Sequence, residues 1–208
     1  LLYACHENRL LLYKGFGKKT QDNVIESIEF YLSQQGSFLF AQVEHLVHDL
    51  DLLFKKLFST EDVKVTGDFA RQEETLDVLE FVIVSDAEVI IKTLTRFEEF
   101  TLLEHAQGYI LYQYNNGIKI KLYPAEKNDF VKRVFETTGS IEFIAAFEND
   151  YVGTAFEHTR NEEEIFTRAA LQHIPGYLRN DPEILKVAAK NKIPKLIQPN
   201  DIKGIIHC

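Results

Sequence analysis

The sequence predicts an α+β fold, and three observations carry that prediction. Apolar residues recur at helical spacing up to about Phe58. They then take up the alternation of strands between Val63 and Tyr123, and they return to helical spacing after Pro124. Side chains recur every 3.6 residues around a helix and every second residue along a strand, so these changes of period mark changes of element. Together they give a mixed sheet with helices on either side of it in the chain.

The elements follow in order. Residues 1–35, "LLYACHENRLLLYKGFGKKTQDNVIESIEFYLSQQ", read as a helix, a Gly-containing hairpin and a second helix, with Val24, Ile25, Ile28, Tyr31 and Leu32 at helical spacing. After Gly36 an amphipathic helix is expected from about Phe38 to Phe58, with Leu39, Val43, Leu46, Val47, Leu50, Leu53, Phe54 and Leu57 on one stripe. Val63–Thr66, Thr75–Val84 and Val89–Ile91 read as strands, and Lys92–His105 as a helix. "GYILYQY" and "GIKIKLY" form a hairpin pair turned at Asn115, Asn116 and Gly117. From Pro124 onward "FVKRVFETT", "EEEIFTRAAL" and "PEILKVAAKN" are helical, interrupted by Pro175, Pro182, Pro194 and Pro199.

Composition narrows the function. A chain of 208 residues with 45% hydrophobic and 26% charged residues is globular and long enough to bury a core. No apolar run approaches the ~18 residues of a membrane span, and Cys5 and Cys208 lack the spacing of a disulfide framework or zinc site. A cytoplasmic protein with no membrane partner is therefore expected. A net charge of −9 argues against a general polyanion binder. The charge is unevenly distributed, however. Residues 1–20 carry Arg9, Lys14, Lys18 and Lys19 against Glu7, whereas residues 59–90 hold nine acids against Lys64 and Arg71. Only the N-terminal end suits a phosphate backbone.

Three local patterns point to chemistry. In "YKGFGKKTQDNVIESI", Gly15 and Gly17 let a backbone come close to a phosphate, beside Lys18, Lys19 and Thr20 at the start of a helix. The same pattern equally describes a turn that packs two helices. His45 and His48, with Glu44 and Asp51, share a helix turn but lie off its apolar stripe, as residues of a solvated face do. In "VKVTGDFARQEETLDVLEFVIVSD", Val63–Asp86, a Gly turn joins two β-rich runs with an Arg just after it. Alternate acids on the second run would let the pattern hold metal ions for a nucleoside triphosphate. Val78 and Glu80 occupy those positions.

The order of KGFGKKT, a long helix, "TGDFARQEETLDVLEFVIV", "IKIKLYP", "FETTGS", "IPGYLRNDPEI" and "IPKLIQPNDIKGIIH" resembles the bacterial family X DNA polymerases. These are DNA polymerase beta-like nucleotidyltransferases with a C-terminal PHP phosphoesterase domain. The resemblance spans nearly the whole chain and implies a helix-hairpin-helix segment with a connecting, thumb-like helix (residues 1–58), a nucleotidyltransferase-like palm (59–123), a C-terminal polymerase-like helical and mixed subdomain (124–200) and the start of a PHP domain (201–208). The chain opens at Leu1, contains no Met and closes on "DIKGIIHC", so it is expected to be part of a longer protein. His207 would be the first histidine of the PHP H-x-H motif, with a metal role in the full-length protein only.

The same resemblance implies a degenerate site. Against the family motif G-S-x-R-R-G-x-E-T-x-G-D-I-D, Gly67, Arg71, Glu74 and Thr75 match, while Asp68 and Ala70 replace the Ser and first Arg. The two metal-binding aspartates fall on Val78 and Glu80, and the third carboxylate falls on Lys121. Gly139 and Ser140 keep the end of the nucleotide motif Y-F-T-G-S, but Glu136 and Thr137 replace its aromatic pair. Two-metal phosphoryl transfer needs carboxylates around both ions; Val78 offers no ligand and Lys121 a like charge.

The leading expectation is thus a polymerase-like core that has lost nucleotidyl transfer. It would serve in DNA repair as a DNA-binding or structural partner of a PHP domain in cis. DNA would bind weakly and without sequence preference, through Gly15, Gly17, Lys18, Lys19 and Thr20. Gly67, Arg71, Gly139 and Ser140 would be remnants of a nucleotide site. No cofactor is expected, Mg²⁺ or Mn²⁺ entering only if relocated carboxylates, such as Asp77, keep a polymerase active. A purely structural module is the third reading.

Overall fold

A computed structural model describes residues 1–33, 36–115, 117–151, 153, 156, 159–195, 197 and 201–204. Asn116, Pro199, His207 and Cys208 lie outside the described residues. The chain divides into two compact units, Leu1–Ser37 and Phe38–Cys208.

The first unit holds α1 (Leu2–His6), a 3-10 turn at Arg9–Leu12 and α2 (Lys18–Ser33). Cys5 and Gln21 are its buried residues among those whose side chains are described, and the Gln21 amide donates to Asn8 Oδ1 at 2.9 Å.

The second unit is α+β. Its five-stranded mixed sheet has the order β2 (Val63–Thr66), β4 (Val78–Val84), β7 (Lys119–Ala125), β6 (Tyr109–Tyr114), β5 (Phe100–Ala106). β4 and β7 run parallel and the remaining neighbours are antiparallel. A separate two-stranded piece pairs β1 (Phe38–Leu39) with β3 (Thr75–Leu76). Helix α3 (Phe40–Phe58) lays Val43, Val47, Leu50 and Phe54 against one sheet face, with the Phe54 ring 5.2 Å from Phe81 and edge-on to it. That packing places α3 with the sheet, whereas the sequence reading grouped it with the hairpin. Leu39, expected on its buried stripe, is instead 55% exposed in β1.

Two expected elements change identity. The run Val89–Ile91 is not a strand. It lies in helix α5 (Ala87–Leu94), because Ile90 and Leu94, four apart, are the residues that bury. The helix expected over Lys92–His105 ends at Leu94, and its second half is strand β5, held by pairing with β6 and by Phe100 packing on Tyr112 and Tyr114. The Thr75–Val84 strand also breaks, at a bend on Asp77. The bend lets Leu76 and Leu79, three apart, both bury fully in spite of strand alternation.

The C-terminal helices carry a second core. Helix α4 (Gly67–Arg71) follows β2 directly. Helices α6 (Phe130–Thr138), α7 (Ile141–Asp150), α8 (Glu162–Arg168) and α9 (Glu183–Ala189) enclose Phe135, Phe143, Phe147, Ile165 and Phe166. Arg179 is buried among them, its Nε donating to the Ile174 carbonyl at 2.8 Å and its guanidinium 5.0 Å from the Phe166 ring centre.

Candidate functional site

Strand alternation separates the two faces of β4 and β7. Leu79, Phe81, Ile83, Ile120 and Leu122 enter the core. Val78, Glu80, Lys121 and Tyr123 alternate with them and point to the other face. The parallel register sets Glu80 against Lys121 and Val78 against Lys119. The three positions matched to metal-binding carboxylates are therefore neighbours on one face, and a single carboxylate stands among them.

Glu80 is enclosed. A Cβ on Gly67 would collide with its Oε1 and would lie 2.7 Å from its Cδ, so the missing side chain at Gly67 makes the room, and φ +61 there also favours glycine. The Tyr123 hydroxyl donates to Oε2. The Lys121 ammonium sits 4.4 Å over the Tyr109 ring and 5.4 Å from that of Tyr123. From α6, the Arg133 guanidinium lies 5.6 Å from the Tyr123 ring and donates to the Gly108 carbonyl at 3.0 Å. Burial pushes the Glu80 carboxyl above the usual carboxylate range, aided by the charge of Asp68. The Tyr123 hydrogen bond, Lys121 and Arg71 pull the other way without overcoming it. Burial and the Glu80 charge both push the Tyr123 phenol up, which keeps it protonated and donating.

The expected nucleotide remnants have internal partners. Arg71 pairs with Asp68, donates from Nη1 to the Thr138 carbonyl at 3.0 Å, and has its Nε 3.9 Å from Glu73. Gly139 is tight, since a Cβ there would meet Phe143 Cδ1 at 2.7 Å. The Ser140 hydroxyl caps α7, accepting from the Phe143 amide at 3.0 Å and donating to the Asn180 carbonyl at 2.8 Å. Glu136 faces Lys132 at 3.7 Å and Arg133 at 3.9 Å.

The N-terminal hairpin is open by contrast. The Phe16 amide donates to the Tyr13 carbonyl at 3.1 Å, with Gly15 at φ +99 inside the turn, and α2 starts at Lys18. Gly15 and Gly17 have nothing within 4 Å of a Cβ position. Lys18, Lys19 and Thr20 are exposed. Among the described residues no carboxylate pairs with Lys14, Lys18 or Lys19.

Gly67, Glu80 and Lys121 thus come together, and Arg71 is tied to the chain just before Gly139. Tyr109, Tyr123 and Arg133 escaped the sequence reading. Tyr123 was findable as the residue two beyond Lys121, on the same strand face; Arg133 arrives from a helix with no such signal. His45 and His48 lie on α3 beside Glu44 and Asp51, and the Asp51 carboxylate takes Lys55 at 2.7 Å. Among the described residues no group of three or more His, Cys, Asp or Glu is disposed to hold a metal, and no helix is long and apolar enough to cross a membrane. No family model matches the chain, and no curated protein matches it.

Proposed function

We propose that the chain is a family X polymerase-like core, with a helix-hairpin-helix segment and a nucleotidyltransferase-like palm. In this reading it no longer transfers nucleotides and serves as a DNA-binding and structural module beside a PHP domain in cis. The order of short motifs along the chain supports the family. One observation carries the loss of activity. At the three matched ligand positions, Glu80 faces Lys121 across β4 and β7, and Val78 faces Lys119. A pair of divalent ions needs several oxygen ligands between and around them. Glu80 is half-buried, bonded to Tyr123 and beside an ammonium, so these residues do not fit Mg²⁺ or Mn²⁺ pairs.

One observation favours the active rival. Asp68 lies two residues beyond Thr66, the register partner of Glu80, and its charge helps raise the Glu80 carboxyl. Arg71 binds Asp68, however, and would have to release it. Primer extension with Mg²⁺ or Mn²⁺ tests the choice. No extension is expected; extension that vanishes in Glu80→Ala would establish the rival. DNA binding is tested separately, by anisotropy of a labelled duplex at low and moderate salt. Weak, sequence-independent binding with a shallow salt slope is expected.

A further inference from the structure

Two exposed rings sit among lysines that have no carboxylate partner among the described residues. Tyr13 is 67% and Phe16 44% exposed. They are the first and last residues of one β-turn, closed by the Phe16 amide on the Tyr13 carbonyl at 3.1 Å. Gly15 supplies the positive φ that a type II turn demands at its third residue. The turn holds the two Cα atoms within about 7 Å of each other. From Arg9 to Lys19 the sequence "RLLLYKGFGKK" carries four cations and no carboxylate.

We infer that this turn is a stacking platform for single-stranded DNA, with Tyr13 and Phe16 taking unpaired bases and Lys14, Lys18 and Lys19 following the phosphates. The inference rests on the DNA-binding reading and narrows its ligand. Rings paired with cations fit a strand whose bases are free, because every base has a face to stack and every linkage a charge. In a duplex those faces are already covered by neighbouring pairs, so the rings would add nothing there. Leu11 and Leu12 are exposed beside the turn as well, which makes a lipid surface the competing occupant; the flat rings set among four cations favour a strand with free bases.

The test uses the whole chain and four labelled probes: a 16-nucleotide single strand, the same strand with abasic sites, a duplex of equal length, and vesicles of phosphatidylserine with phosphatidylcholine. The single strand is expected to bind about tenfold more tightly than the duplex or the abasic strand, in proportion to one or two stacked bases. Tyr13→Ala/Phe16→Ala should remove that advantage and leave duplex binding unchanged, with unaltered circular dichroism because both side chains are exposed. Tyr13→Leu/Phe16→Leu should behave like the alanine variant. If the leucine variant binds like the parent, or the parent prefers duplex, the stacking inference fails. If only Lys18→Glu/Lys19→Glu weakens binding, the hairpin holds phosphates alone; the DNA reading then survives and this inference does not. Absence of binding to every DNA overturns both, and binding to vesicles alone reassigns the surface to a membrane.

Discussion

The lysines of the Tyr13–Thr20 hairpin and the lysine of strand β7 differ in what surrounds them. Lys14 stands on the open turn and Lys18 and Lys19 at the start of α2, all exposed and with no carboxylate partner among the described residues. Lys121 lies over two tyrosine rings beside a half-buried carboxylate that a third contact, the Tyr123 hydroxyl, completes. Charge that is free to meet a partner and charge already matched inside the fold look the same in composition. The difference bears on where an anion could bind: a phosphate reaching Lys121 would have to displace groups that satisfy each other, whereas Lys18 is exposed and has no carboxylate partner among the described residues. Alternation along β4 and β7 keeps Glu80 and Lys121 off the face that packs on α3.

The two glycines that shape these regions give the largest expected effect. Gly67→Ala puts a Cβ onto the Glu80 carboxylate and forces a side chain into φ +61. Displacing Glu80 also breaks its bond from Tyr123, so a loss of roughly 2–3 kcal/mol is expected in urea unfolding. Gly15→Ala meets no atom within 4 Å and bears only the strain of φ +99, about 1 kcal/mol. Similar losses at the two sites would show that Glu80 is not held where the comparison requires.

Tyr123→Phe comes next. It keeps the ring beneath Lys121 and removes the hydroxyl, leaving a half-buried carboxylate short of a donor; roughly 1–3 kcal/mol is expected from the same unfolding measurement. A neutral result would mean that water reaches Glu80 freely.

Much of this was legible beforehand, and the exceptions have physical causes. The turn at Gly15 could be read because glycine at a positive φ leaves a mark in sequence. Glu80 and Lys121 were matched only through the family resemblance; that they face each other comes from the parallel β4–β7 register, which joins strands about 40 residues apart in the chain. Val89–Ile91 misled because a β-branched run suggests a strand, while the burial of Ile90 and Leu94 follows a helix. "FEEFTLLEH" misled because its acids and leucines suit a helix, yet β6 offered β5 a ladder of hydrogen bonds. The bend at Asp77 is set by Leu76 and Leu79 both seeking the core. The bond from Arg71 to the Thr138 carbonyl joins residues 67 apart in the chain, and no local pattern announces it.

The carboxyl at the centre of the cluster predicts a smaller, pH-dependent effect. Burial dominates Glu80, so the folded state holds its proton more tightly than the unfolded chain does. Wild-type stability should then fall as pH rises from the ordinary carboxylate range through the raised value of Glu80, and recover as pH drops back. Glu80→Gln lacks this titration and keeps an acceptor for Tyr123. Measured as Tm against pH, the variant should gain on the wild type toward neutral pH, and the relative change should level off below the ordinary carboxylate range. A constant gap would show that Lys121 and Arg71 offset burial fully.

The smallest expected effect on stability belongs to Lys18→Glu/Lys19→Glu, and it is the sharpest contrast of all. Both side chains are exposed at the first turn of α2 and make no ion pair among the described residues, so their reversal removes no contact of the fold. Carboxylates near the N-terminus of a helix are if anything favourable to it. Thermal and urea midpoints should therefore match the parent within experimental scatter, while DNA binding is lost. The same reversal at Lys121 places a second carboxylate opposite Glu80 in the β4–β7 register and takes a cation from the two tyrosine rings, so its midpoint should drop clearly. Equal midpoints for the two reversals would mean that Lys121 is as free as the hairpin lysines and as available to a phosphate.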